Sequence, residues 1–194
     1  MLIAYTREVS PALADCELTH LEREPLDVAG AQAEHEVYES VLERLGARVR
    51  RLPSTPHLPD GVFVEDAAVV LDDVAVITRP GAPSRQPETA SVEAALAAPR
   101  PLVHVRAPAT LDGGDVLVAG RRIYIGLSTR TSRARAGMLP WMDHRAAQRQ
   151  RICGVRLGRV DCQRPQAGKS TCRDPTWSTI SWQLSLYKLS AASN

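Results

Sequence analysis

The stretches EDAAVVLDDVAVITR (residues 65–79) and GDVLVAGRRIYIGLSTR (residues 114–130) decide the fold, because one repeats the other. Each runs from an acid through an apolar segment, a turn and a second apolar segment to an arginine. Asp66 aligns with Asp115 and Ile77 with Ile125, at offsets of 49 and 48. Apolar alternation with period two predicts short strands joined as hairpins. A repeat near fifty residues, holding a hairpin, a helix and one further strand, predicts modules that bury their faces against one another around an axis. In propeller-like assemblies the loops of several modules point into one central site.

Outward from the repeat, LIAYT (2–6) reads as a first strand. Asp27 is placed to cap a helix whose apolar residues Val37, Val41, Leu42 and Leu45 recur at helical spacing, and Gly46 marks its end. ARVRRL (47–52) reads as a strand, and Pro53, Pro56 and Pro59 make the next segment a loop. VFVEDAAVVLDDVAVITRPGAPSR (62–85) reads as two short strands turning at Asp72 and Asp73. A helix over 87–98 and a strand over 102–107 complete the first module. TLDGGDVLVAG (110–120) opens the second, with Asp112 and Asp115 flanking Gly113 and Gly114 at the mouth of a strand. The predicted class is therefore α/β, built of ββαβ modules.

The formal net charge of +2 hides a break. Residues 133–194 carry eleven Lys and Arg against three acids, a net of +8, whereas residues 1–132 carry thirteen against nineteen, a net of −6. Both lysines, all three tryptophans and three of the four cysteines fall after residue 132. Only a few apolar residues precede Arg7, and no later run approaches the length of a membrane span, so the expected location is cytoplasmic. Without an export signal the cysteines read as free thiols, and their spacings match no zinc pattern. No metal site, membrane contact or nucleic-acid partner is expected. The arginines after residue 132 are scattered, with no aromatic interleaving or recognised motif.

The charged residues at strand ends are Asp60, Glu65, Asp66, Arg85, Asp112 and Arg130. Four acids and two arginines converging on one cavity suit a zwitterion with a further cation at its far end. A guanidinium fits, since its planar fork matches carboxylates pairwise and arginines grip an α-carboxylate in the same bidentate way.

LPDGVF, FVEDAAVVLDDVAVITRPGAPSR and TLDGGDVLVAGRRIYIGLSTRT together closely resemble the dimethylargininases of the guanidino-group-modifying, or pentein, superfamily, over residues 1–132. The resemblance implies a five-module β/α propeller, of which residues 1–132 would be about half. It also implies hydrolysis of Nω-methylated arginine to citrulline and a methylamine through a cysteine nucleophile, with no cofactor. By motif match, Asp60, Glu65 and Asp66 would hold the guanidinium and α-amino ends of the substrate. Arg85 and Arg130 would hold its α-carboxylate, and Leu18 would line a lid. Asp112 takes the place of the acid that orients the catalytic histidine, and Asp115 would serve the turn. Hydrolysis at a guanidinium carbon, a poor electrophile, requires a thiolate, a histidine to protonate the departing amine and an acid to fix that histidine.

The resemblance stops after residue 132. His144 has the wrong neighbours for the family's His-Leu-Lys type motif. None of Cys153, Cys162 and Cys172 opens an apolar strand, and Cys16 belongs to the first loop. We therefore read residues 133–194 as an out-of-frame or disordered tail and expect the chain as written to be inactive. Two other functions fit part of the sequence: an arginine deiminase or amidinotransferase sharing the fold, and a non-catalytic binding fragment with a basic tail. The oligomeric state is not legible.

Overall fold

The computed structural model describes residues 2–18, 23–119 and 122–132 with their side chains, and residues 151–156, 159–163 and 187–188 as backbone strands. The first unit is a parallel pair, β1 (Leu2–Thr6) beside β2 (Ala47–Arg51), in register from Leu2 opposite Ala47 to Thr6 opposite Arg51. The crossover between them is α1 (Val28–Arg44). It starts where the Asp27 carboxylate accepts the Gly30 N–H at 2.9 Å, and it stops ahead of Gly46, whose φ of +87° suits a residue without Cβ. A two-residue strand later in the chain, Tyr187–Lys188, pairs antiparallel with the other edge of β1.

The next sheet repeats one scheme that recurs in the sheet after it. β3 (Ala68–Val70) and β4 (Ala75–Ile77) form an antiparallel hairpin. The chain then crosses through α2 (Thr89–Ala97) to β5 (Leu102–His104), which runs parallel to β4. β6 (Val116–Ala119) and β7 (Arg122–Gly126) form the second hairpin, and β8 (Arg151–Arg156) runs parallel to β7. β9 (Arg159–Gln163) adds an antiparallel fourth strand, so the later Tyr187–Lys188 strand is β10. The repeat in the sequence is thus a repeat of topology.

The modules also share a core. Val69, Val74 and Val76 of the first hairpin, Leu111 of the connecting segment, and Ile123 and Ile125 of the second hairpin form one buried apolar cluster. A second cluster places Val92 and Leu96 of α2 under Ala68, Ala75 and Ile77. Burial of this kind stabilises by roughly 25 cal/mol for each Å² of apolar surface removed from water, and its position between modules holds their loops in fixed relation.

Four details differ from the sequence reading. Residues 64–67, read as part of a strand, form a 3₁₀ turn whose ends, Val64 and Ala67, are buried. The three-residue period superposes these two apolar side chains on the core and leaves Glu65 and Asp66 to turn elsewhere. The helix expected over 87–98 is divided into a 3₁₀ segment, Pro83–Glu88, and α2. In α1 the buried side chains are Leu42 and, unexpectedly, Glu39, while Val37 and Leu45 are exposed. Glu39 is accommodated because Thr6 donates to it at 2.6 Å and Arg51 also donates to it. Finally, strands β8 to β10 fall where the sequence shows no period. Residues 133–150 and 164–186, with His144 and Cys172, lie outside the described residues, as do the side chains of Cys153 and Cys162. Among the described residues no helix is long and apolar enough to cross a membrane.

Candidate functional site

Two 3₁₀ turns packed against each other build the site. One is Val64–Ala67, carrying Glu65 and Asp66; the other is Gly113–Asp115, with Asp112 at its N-terminal end. Gly113 allows this packing, since a Cβ at that position would overlap the carbonyl oxygen of Glu65. At Gly114 a Cβ would stand 2.5 Å from Asp66 Oδ1. The pair of glycines therefore brings the acids of two modules side by side.

Asp112 is fully buried at 0% exposure. Its Oδ1 accepts the Gly114 N–H at 3.1 Å, and its own backbone N–H donates to Thr131 Oγ1 at 3.0 Å. Its Oδ2 receives no hydrogen bond among the described residues, and the cations near it are Arg130 Nε at 3.6 Å and Arg85 Nη1 at 3.7 Å. Burial, followed by the charge of Asp66 and hydrogen bonding to it, pushes Asp112 up to about 7 against the pull of Arg130 and Arg85. Asp115 is used otherwise: its Oδ2 accepts the hydroxyls of Ser128 at 2.7 Å and Thr131 at 2.5 Å, which ties the turn to the segment carrying Arg130.

Arg85 is the hub. Its side chain is 2% exposed and donates from Nε and Nη2 to the two oxygens of Glu88, at 3.2 and 3.0 Å, and from Nη1 to Asp66 Oδ2 at 2.8 Å. Burial alone would pull the guanidinium down. The hydrogen bond to Glu88 and the charge of Asp66 outweigh it and hold Arg85 above its ordinary value. The guanidinium carbon of Arg85 lies over the Phe63 ring, 5.9 Å from its centre. Glu65 is pushed up by burial and, secondarily, by the charge of Asp66.

Of the residues singled out in the sequence, Asp66, Arg85, Asp112 and Arg130 are joined directly by ion pairs. Glu65 adjoins Asp66 in the same turn. Asp60 is buried in its loop and accepts the Glu17 N–H at 3.0 Å, which brings the exposed Leu18 segment beside it. Glu17 reaches on to the Ser84 hydroxyl at 2.5 Å, next to Arg85. Glu88, Thr131 and Arg7 were not singled out. Glu88 lies three residues beyond Arg85 and is eclipsed with it in the 3₁₀ segment, which the sequence does not announce over residues 83–88. The buried Arg7, which donates to the Gly61 carbonyl at 2.6 Å, carries no local signal either. No group of three His, Cys, Asp or Glu that could hold a metal ion exists among the described residues.

No protein-family model matches the chain. Comparison with curated proteins finds an N(G),N(G)-dimethylarginine dimethylaminohydrolase of Streptomyces coelicolor, 46% identical over 132 residues, which are 68% of this chain and 51% of that protein. Over that stretch the chain is similar to the dimethylarginine dimethylaminohydrolases. The chain spans about half the length of that dimethylargininase. Among solved structures, the Pseudomonas aeruginosa dimethylargininase, as a cysteine-to-serine variant complexed with citrulline, superposes with a TM-score of 0.71 at 31% identity, covering 78% of this chain and 59% of the other. A histidine-to-glycine dimethylargininase carrying an S-methyl-L-thiocitrulline adduct gives the same TM-score and identity, covering 80% and 61%. The architecture is accordingly α/β of the pentein type, as in these dimethylargininases, represented by part of the propeller.

Proposed function

We propose that residues 2–132 form the recognition half of a site for Nω-methylated arginine. The reading rests chiefly on Asp112, a buried carboxyl with one oxygen satisfied by its own turn and the other left without a donor between two arginines. A buried acceptor in that state is poised for a cationic or N–H donor group. In a hydrolase acting on linear amidines, Asp112 Oδ2 would receive the ring N–H of the histidine that protonates the departing amine. Glu65 and Asp66 on the neighbouring turn would take the guanidinium, and Asp60 the α-amino group. Arg130, 35% exposed, and one edge of Arg85 would take the α-carboxylate, with Leu18 over the opening. The reaction would then be attack of a cysteine thiolate at the guanidinium carbon, loss of a methylamine and hydrolysis to citrulline.

The full reaction belongs to a protein carrying that histidine and cysteine. We propose that residues 133–194 of this chain are an out-of-frame continuation and that the chain binds its ligand without turning it over. Incubation with N(G),N(G)-dimethylarginine, followed by colorimetric assay for citrulline and by calorimetry for binding, tests both parts. Binding with no citrulline is expected. Steady citrulline release would overturn the second part, and absence of binding the first.

A further inference from the structure

We infer that Glu88 is a positioning residue, the counter-ion that sets the buried Arg85 and, through it, the turn bearing Asp66. Glu88 is itself 3% exposed. It takes the Nε and Nη2 side of Arg85 in a bidentate pair, at 3.2 and 3.0 Å, which leaves Nη1 facing Asp66 at 2.8 Å and Asp112 at 3.7 Å. The 3₁₀ geometry of Pro83–Glu88 builds this fork locally, because residues three apart are eclipsed. Another buried arginine, Arg7, 1% exposed, is held by other partners: it donates from Nη1 to the carbonyl of Gly61 at 2.6 Å and from Nη2 to Ser91 Oγ at 2.5 Å. The charge of Glu88 opposes the burial of Arg7, while Asp60 and Asp66 bear on Glu88 from the site side.

Burial raises the proton affinity of Glu88 even with Arg85 against it. A pair so far from water contributes little net stability, and its value lies in orientation. Glu88 fixes which edge of Arg85 is turned to the site. As the role of Arg85 toward a carboxylate rests on the proposed function, the test has one arm with ligand and one without.

In the full chain labelled with ¹⁵N-arginine, Arg85 Nε–H exchange with solvent is slow. In Glu88→Gln it accelerates about tenfold or more, as expected for loss of a charged acceptor. Glu88→Asp, which keeps the charge one methylene back, restores part of the protection and separates positioning from loss of fold. Unchanged exchange in Glu88→Gln overturns the assignment whatever the ligand does. In the second arm, calorimetry compares dimethylarginine with agmatine, which has the guanidinium without the carboxylate. Glu88→Gln weakens dimethylarginine about tenfold and leaves agmatine nearly unchanged. Equal loss for both probes contradicts the positioning of Arg85. If the wild-type chain binds neither probe, the proposed function fails and the exchange arm alone decides Glu88.

Discussion

Replacing Asp112 by Asn removes a carboxyl that the fold holds protonated up to about 7, against an ordinary value of 3.8. Between those two values the unfolded chain has released this proton and the folded chain has not. Rising pH therefore favours unfolding, and the loss is complete once pH passes about 7. One pKa unit is worth about 1.4 kcal/mol, so three units set an upper bound of about 4 kcal/mol. With Arg85 and Arg130 beside it to take up part of the change, we expect about 2 kcal/mol to be assignable to Asp112. Asn is isosteric and uncharged, and its stability relative to wild type should rise with pH by that amount. Urea denaturation of both proteins at pH 4.5, 6 and 8 measures the difference directly. A stability difference that stays constant across this range would refute a buried, proton-holding Asp112. The same logic reaches the ligand. A guanidinium placed among these acids drives the proton off, so calorimetry near pH 7 in buffers of different ionisation enthalpy should report proton release on binding.

Three further outcomes are expected. Gly113→Ala forces the two 3₁₀ turns apart and should lower stability by about 2–3 kcal/mol in urea titration; Gly114→Ala should cost less, because the atom it meets ends a side chain that can swing. Asp27→Ala removes the cap of α1 and should cost about 1 kcal/mol, read by thermal melting of the far-UV circular dichroism. If the out-of-frame proposal is right, another frame of the coding DNA beyond codon 132 should encode a His-Leu-Lys type motif and a later cysteine, and resequencing that region decides it.

The modular architecture was legible because its signals are local. The alternation in AVV and AVI, the cap at Asp27 and the stop at Gly46 each act within a few residues, and all reappear at those positions. The repeat carried more, since Asp66 and the Asp112 turn meet only when two modules pack, and the offset between them announced that packing. The FVED segment was misread because Val62 and Val64 alternate as in a strand, whereas Val64 and Ala67, three apart, share a face only in a 3₁₀ turn. The burial of Glu39 was illegible since its partners Thr6 and Arg51 sit on two other elements. Arg7 and Glu88 were missed for a related reason. Neither faces a recognisable motif, and what they hold becomes visible only once Gly61, Ser91 and Arg85 occupy the same interior. Strands β8 and β9 show the reverse case, in which backbone pairing of β8 with β7 and of β9 with β8 forms a sheet that side-chain alternation does not announce.

The central claim is that the acids and arginines of residues 2–132 recognise a methylated arginine. Isothermal calorimetry of the chain with N(G),N(G)-dimethylarginine, beside Asp66→Asn, tests it most directly. The account predicts one saturable site in the wild-type chain and an affinity about tenfold or more weaker in Asp66→Asn. No heat of binding in a chain that shows a cooperative unfolding transition, or equal affinity in the two proteins, would contradict it.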